Sequence, residues 1–301
     1  VTRRKTRRIP ARCAGLKTSE SPSMTTMQGG NLRKMIAELD GKTPLYSLPV
    51  GEASVPMNPL LGQELELVYN GAINCIHCNR KTKKSFNQGY CYPCFRRLAA
   101  CDSCIMSPQK CHFHEGTCRE PEWGETHCMI DHFVYIANTS GLKVGITRGT
   151  QVPTRWIDQG ATQALPVFRV ASRLDSGLAE VVFAMHVADK TAWQAMLKGG
   201  NGALDMIAER DRLLEACAAD MAALRQARGL NAISDVRDVP TTEIEYPVVQ
   251  YPEKVKSLTF DKQSEVSGTL LGIKGQYLIL DTGVINMRRH AGYDVSLSVR
   301  Q

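Results

Sequence analysis

The sequence contains no uninterrupted apolar stretch that approaches the roughly 18 residues of a membrane-spanning helix. It also has no internal repeat, no low-complexity tract and no N-terminal apolar core of the kind that defines a secretory signal. Aromatic residues make up only 6% of the 301 residues, whereas 43% are hydrophobic and 22% are charged. These proportions exclude a disordered or collagen-like chain and suffice for two or three folded domains. We therefore expect a soluble, cytoplasmic protein without a membrane-bound part.

Positive charge is distributed unevenly along the chain. The formal net charge is +7, but residues 1–23 alone hold seven cations and one acid, so the rest of the chain is nearly neutral. Within that rest, residues 71–100 carry six cations and no acid, whereas residues 101–140 carry two cations and six acids. We expect residues 1–26 to form a disordered basic tail, which is either an arm on nucleic acid or the product of an upstream translation start. Local basic blocks, and not the net charge, are the evidence for an acidic partner.

Nine of the eleven cysteines lie between Cys75 and Cys128. The first four form the pairs Cys75-x-x-Cys78 and Cys91-x-x-Cys94, with twelve residues between the pairs. Each Cys-x-x-Cys turn directs two thiolates at one point, and two such turns complete the tetrahedron that zinc prefers. Disulfides are the alternative, but paired spacing without a secretory signal is typical of metal sites. The pattern predicts a structural zinc in a zinc-ribbon or treble-clef-like module.

A second group of potential metal ligands follows the first. It comprises five thiols and one histidine: Cys101, Cys104, Cys111, Cys118, Cys128 and His112. Cys101-x-x-Cys104 has the spacing of half a zinc site, but spacing alone does not choose the remaining ligands, and an iron–sulfur cluster is an alternative. Thiolates suffice to close both sites, so we expect two structural zinc ions and no catalytic one.

A basic loop surrounds the first cysteine quartet. Its cations are Arg80, Lys81, Lys83, Lys84, Arg96 and Arg97. The aromatic residues Phe86, Tyr92 and Phe95 are interleaved with them, a combination that suits phosphate contacts and base stacking. The alternative is a solvated loop whose aromatic rings pack on the zinc core. Together with Arg148 further along the chain, the loop predicts a nucleic-acid-binding surface.

The pattern changes after Cys128. Strands are predicted at 133–137, 142–147 and 165–171, with a helix that opens at Pro153 and Thr154. A further helix is predicted after the third strand, capped by Asp175 or Ser176. The order hairpin, helix, strand, helix defines an α/β unit within residues 131–235.

Five residues of this unit carry a resemblance to a known family. Tyr135, Lys143, Gly145, Arg155 and Glu180 occur in the order of the GIY-YIG nuclease motifs, and the segment resembles divergent members whose second motif reads Lys-Ile-Gly. The resemblance implies that Tyr135 helps to activate the attacking water, that Arg155 steadies the scissile phosphate and that Glu180 holds magnesium. Lys143 stands in place of the tyrosine of the second motif, where its charge favours a tyrosine phenolate.

A second resemblance covers nearly the whole chain from Gly30 onward. Residues 85–94, 116–121, 153–161 and 275–281 are similar to an uncharacterised bacterial family known only as a domain of unknown function. This resemblance implies no activity.

We predict an α+β fold of four parts after the tail. These are a β-rich segment at 27–74, a double zinc module at 75–130, a GIY-YIG-like domain with a trailing helix at 131–235, and a small β-domain at 236–301. The function expected from these parts is zinc-dependent binding of DNA or RNA through the basic loop and the GIY-YIG-like domain. The alternatives are a magnesium-dependent endonuclease and a zinc-stabilised protein-interaction scaffold.

Overall fold

The computed structural model describes residues 24–187, 192–200 and 202–300. Most of the predicted basic tail therefore lies outside the described residues, and residues 24–26 already belong to a strand. Within the described ranges, no helix is long and apolar enough to cross a membrane. The α+β class is confirmed, since the helices lie beside several sheets.

The N-terminal segment consists of short strands whose side chains alternate between core and solvent. The strands are β1 (Met24–Asn31), β2 (Ile36–Asp40), β3 (Thr43–Val50), β4 (Ala53–Pro56), β5 (Glu64–Asn74) and β6 (Lys81–Thr82). Tyr46, Leu48 and Val50 of β3 are buried at every second position, as period-two patterning requires. Strands β2, β3 and β4 form a three-stranded sheet of their own.

The cysteine-rich segment contains little regular structure. Its helices are α1 (Tyr92–Arg97), α2 (Ser103–Met106) and α3 (Pro121–His127). Asp102 begins α2 by accepting a hydrogen bond from the Ser103 amide. A segment with so few long elements buries little apolar surface.

The segment after Cys128 has the predicted order of hairpin, helix, strand and helix. Its elements are β7 (His132–Asn138), β8 (Leu142–Arg148), α4 (Thr154–Asp158), β9 (Gln163–Val170) and α5 (Arg173–Ala184). Strand β7 lies between β8 and β9 and is antiparallel to both. Helix α5 begins earlier than predicted, because Ser172, and neither Asp175 nor Ser176, is the cap and accepts a hydrogen bond from the Asp175 amide.

The trailing helix is divided into two. After α6 (Trp193–Lys198) come α7 (Met206–Ala216) and α8 (Ala218–Arg228), separated at Cys217, whose ψ of 4° interrupts the helix. The break lets α7 contact β9 while α8 contacts α5. The apolar pattern is continuous across Cys217, so it predicts one helix where the packing requires two.

The remaining strands complete two sheets. They are β10 (Ile233–Asp235), β11 (Thr242–Glu243), β12 (Ser257–Leu258), β13 (Glu265–Lys274), β14 (Tyr277–Leu280), β15 (Gly283–Asn286) and β16 (Tyr293–Arg300). Strands β10 and β11 both pair with β9 and extend its sheet to five strands.

An eight-stranded sheet joins the two ends of the chain. Its order is β1-β16-β5-β13-β14-β15-β12, with β6 paired to β5. Strand β5 lies between β16 and β13 and is antiparallel to both. Strands from residues 27–74 and from residues 236–300, which the sequence pattern assigns to separate segments, therefore meet in one sheet.

Strand β7 separates the two main cores. Tyr135 and Ala137 face the large core formed by the eight-stranded and three-stranded sheets. Val134 and Ile136 face the opposite way, into a core built with α5, α7 and α8. Because β7 is buried on both faces, its side chains are held in place by the packing of both cores.

His132 at the start of β7 is a buried titratable group. Its Nδ1 lies 2.7 Å from the Ile130 carbonyl oxygen, and burial lowers the pKa of His132 to about 4. The unfolded chain, with a histidine pKa near 6.5, binds more protons than the folded chain between these values, so stability falls as pH drops through this window. Between pH 7 and pH 5 we expect His132 to cost the wild type about 2 kcal/mol of unfolding free energy.

Urea unfolding at pH 7, 6 and 5 tests this expectation. The variant His132→Asn cannot titrate at this position but keeps a donor for the Ile130 carbonyl. Between pH 7 and pH 5, its unfolding free energy should therefore fall by about 2 kcal/mol less than that of the wild type. Parallel pH dependences in the two proteins would show that His132 titrates normally in the folded state.

Candidate functional site

The first four predicted zinc ligands lie together. The sulfur atoms of Cys75, Cys78, Cys91 and Cys94 are all within 4.8 Å of one another. Cys75 follows β5, and its carbonyl accepts a hydrogen bond from the Asn79 amide, which closes the first Cys-x-x-Cys turn. Asn79 has a φ of 56°, a left-handed conformation that asparagine tolerates better than most residues. The predicted four-cysteine cluster is confirmed and forms a plausible zinc site.

The electrostatic environment prepares one of these thiols to be a thiolate. Burial disfavours ionisation of Cys75, but the backbone amides of Cys78, Cys91 and His77 hydrogen-bond to it and lower the pKa of Cys75 to about 6. Burial and hydrogen bonds to the other thiols raise the pKa of Cys94. A metal ion bound by Cys75 would supply the positive charge that the remaining thiols need to lose their protons.

The basic loop is exposed around this cluster. All six of its cations are exposed, and no ion pair among the described residues involves any of them. Phe86 packs against the rings of Tyr92 and Phe95 at centroid distances of 5.4 and 5.7 Å, and Lys84 Nζ lies 5.5 Å from the Phe86 ring. Tyr92 remains 52% exposed, so one face of this aromatic cluster is accessible to a stacking partner.

A cationic cleft of about 420 Å³ lies beside the second half of the cysteine-rich segment. Its charged lining consists of six cations and two acids: Lys34, Lys143, Arg148, Arg155, Arg173, Arg288, Asp158 and Glu180. Most of these side chains come from strand β8, helix α4 and helix α5. Lys34 comes from the N-terminal part of the chain and Arg288 from the C-terminal part. We refer to this feature as the cationic cleft.

Asp158 of helix α4 contacts side chains from the N-terminal and C-terminal parts of the chain. Its carboxylate lies 2.8 Å from Lys34 Nζ and 4.0 Å from Arg288 Nη1, and it accepts a hydrogen bond from Gln276 at 2.8 Å. The Asp158 side chain is only 5% exposed, so these contacts satisfy a nearly buried charge. Asp158 thus has a structural role that leaves its carboxylate engaged within the protein.

Tyr135 lies under the cationic cleft and is linked to Arg155. The side-chain amide of Gln159 lies 2.7 Å from Tyr135 Oη. In the amide orientation that satisfies both neighbours, its nitrogen donates to Tyr135 Oη and its oxygen accepts from Arg155 Nη2 at 2.9 Å. A Cβ on Gly145 would lie 2.7 Å from Tyr135 Oη, so glycine is needed for this close approach. Burial raises the pKa of Tyr135 to about 12, against the opposing effect of Arg155.

The structure therefore brings together the five residues singled out by motif order. Lys143, Gly145, Arg155 and Glu180 line the cationic cleft. Tyr135 is buried beneath it, in contact with Gln159 and Gly145, which both line the cleft. Arg148, predicted as part of the nucleic-acid surface, also lines this cleft.

Comparison with known families gives a match over most of the chain. The family model described as "Protein of unknown function (DUF2797)" matches residues 62–295. The chain belongs to this family. The resemblance to an uncharacterised family is thus confirmed. No curated protein and no solved structure matches the chain.

The DUF2797 region contains most of the candidate site. It spans the basic loop, both groups of cysteines and every charged residue of the cationic cleft except Lys34. Sequence reasoning missed Lys34, Asp158, Arg173 and Arg288 as cleft residues. They come from four separate stretches of chain, and no local pattern signals that they meet.

Proposed function

We propose that this DUF2797 protein binds DNA or RNA, with the phosphodiester backbone in the cationic cleft. The observation that carries the proposal is the excess of cations over acids around a single cleft of about 420 Å³. Of the two acids, Asp158 is engaged by Lys34 and Arg288. No ion pair among the described residues involves Arg148 or Arg155. A cleft with this charge attracts a polyanion and is sensitive to salt.

The basic loop supports the same function through a different kind of contact. Its exposed cations suit the backbone, and the exposed ring of Tyr92 suits an unpaired base. In this proposal the Cys75–Cys94 cluster binds zinc in a zinc-ribbon or treble-clef-like module and holds the loop in a fixed shape. Four thiolates in a tetrahedron are typical of a structural zinc site with no open position for chemistry.

Substitution of two cleft cations tests the proposal. The double variant Lys143→Gln/Arg148→Gln should bind fluorescent oligonucleotides about ten-fold more weakly near 0.1 M salt, because each lost phosphate contact removes counterion release. The slope of log affinity against log salt should become shallower by roughly 2 units. Fluorescence anisotropy with single-stranded and double-stranded DNA and RNA measures both quantities.

The matched control removes the same charge elsewhere. Lys254 and Lys256 are exposed and do not line the cationic cleft, so Lys254→Gln/Lys256→Gln should keep the wild-type affinity and salt slope. Equal losses in the two double variants would show that net charge, and not the cleft, governs binding.

A second candidate function is a magnesium-dependent endonuclease. The specific observation in its favour is that the Tyr135–Gln159–Arg155 chain of contacts reaches the same cleft as Glu180. In this reading Arg155 orients the scissile phosphate, Glu180 offers a carboxylate to a divalent ion, and Tyr135 accepts a proton once a cation stabilises its phenolate. Magnesium suits one protein carboxylate together with water and phosphate oxygens, and it would supply charge stabilisation at the phosphate.

A further inference from the structure

Four cysteines outside the first cluster line one small enclosed space. A cavity of about 10 Å³ lies among Cys104, Cys111, Cys118 and Cys128, with a volume that admits an ion but no organic ligand. Cys104 belongs to α2, Cys118 precedes α3, and Cys128 ends α3. The four thiols thus line one cavity from separate stretches of the chain.

We propose that Cys104, Cys111, Cys118 and Cys128 form a second tetrahedral zinc site and that Cys101 is not a ligand. Cys101 packs instead with the apolar side of the first cluster, against Leu98 and the cysteines of that quartet. Four thiols then remain for four positions, which closes the site and makes it structural. This inference does not depend on the proposed nucleic-acid function.

A different set of ligands comes close together at the same place. Potential ligand atoms of Asp102, Cys104 and His112 lie within 4.8 Å of one another. The Asp102 carboxylate, however, accepts from the Ser103 amide at 2.6 Å and pairs with Arg119 Nε at 2.8 Å. His112 Nδ1 lies 2.7 Å from Thr117 Oγ1, and its Nε2 is 3.5 Å from Asp102. Asp102 and His112 therefore form a polar group of their own beside the thiols.

Arg173 supplies the positive charge that a site of four thiolates needs nearby. Its guanidinium donates to the carbonyls of Ile105 at 2.6 Å and Cys104 at 3.5 Å, and its backbone amide donates to the Cys128 carbonyl at 2.7 Å. Four thiolates around one divalent ion leave two negative charges, which a neighbouring guanidinium partly offsets. The same contacts attach α5 to the proposed site.

The packing of α3 also favours convergence of the thiols. A Cβ on Gly124 would lie 2.8 Å from the Phe113 ring and 3.4 Å from Cys118 Sγ. Glycine at this position lets α3 approach the segment that carries Cys111 and Cys118 closely. A larger residue there would push Cys128, at the end of α3, away from its partners.

Zinc analysis of purified wild type and single variants tests the inference. The wild type should contain two zinc ions per chain, and Cys118→Ser should contain one while keeping the far-ultraviolet circular dichroism of the wild type. The matched control Cys101→Ser and the variant His112→Ala should both keep two. Loss of a zinc ion from Cys101→Ser or from His112→Ala would overturn the assignment of ligands.

X-ray absorption of the zinc-loaded wild type identifies the ligand atoms of zinc without relying on the folding of any variant. Two four-cysteine sites give four sulfur neighbours per zinc at about 2.3 Å and no nitrogen or oxygen neighbour. An average of fewer than four sulfur neighbours, a content of one zinc ion, or a brown iron-containing protein would each refute the proposal.

Discussion

Replacing Cys78 with serine is expected to abolish zinc binding at the first cluster and to destabilise residues 75–97. Cys78 is exposed, so its substitution loses almost no apolar packing, and any large effect arises from the metal. A structural zinc site contributes on the order of 10 kcal/mol of binding free energy at neutral pH, and loss of one thiolate removes several of these. Zinc content should fall by one ion per chain, and amide hydrogen exchange of the basic loop should accelerate.

The control for this variant is His77→Ser. His77 is also exposed and directly precedes Cys78, but it lies outside the four-sulfur cluster. It should keep both the zinc content and the exchange protection of the wild type. If Cys78→Ser keeps its full zinc content, the four-thiolate site is refuted.

Replacing Glu180 with glutamine is expected to lower magnesium-dependent cleavage by at least about 100-fold, if the protein cuts nucleic acid, because the substitution removes the carboxylate that would hold the ion. Binding should be retained or strengthened, since one of only two acids is removed from the cationic cleft. Cleavage of labelled single-stranded, double-stranded and branched DNA and RNA, with magnesium or with a chelator, measures the first effect. Anisotropy measures the second.

Glu253→Gln is the matched control, since Glu253 is exposed and does not line the cationic cleft. It should cleave at the wild-type rate. Equal cleavage by wild type and Glu180→Gln would exclude the assigned role of Glu180. A wild type that binds every substrate but cuts none would leave binding as the function of the cleft.

Local patterns in the sequence predict local structure well in this chain. The β7–β8 hairpin follows from two apolar runs around a short polar turn, and the order of α4, β9 and α5 is predicted correctly although the cap of α5 is not. The eight-stranded sheet does not follow from any such pattern. Its central pairing joins Leu67 to Leu297, and a contact between residues so far apart leaves no signal in either segment alone.

The candidate site, too, is predictable from the sequence only in part. The Cys75–Cys94 cluster is predictable because the spacing of its residues is itself the geometric requirement for zinc. The second group of cysteines is less predictable, because the pair Cys101-x-x-Cys104 suggests a shared site, whereas Cys101 packs with the first cluster and Cys104 lines the small cavity. Motif order locates Tyr135 and Arg155, but only the fold shows that Gln159 links them.

Photochemical cross-linking tests most directly whether the cationic cleft holds a phosphodiester backbone, as we propose. Oligonucleotides that carry a photoreactive group on a backbone phosphate are irradiated with the wild-type protein, and mass spectrometry identifies the modified peptides. The main cross-links should fall within residues 143–159, with others in the basic loop, and they should disappear at high salt. Cross-links confined to other surfaces, or none at low salt, would contradict the proposal and favour a zinc-stabilised protein-interaction scaffold.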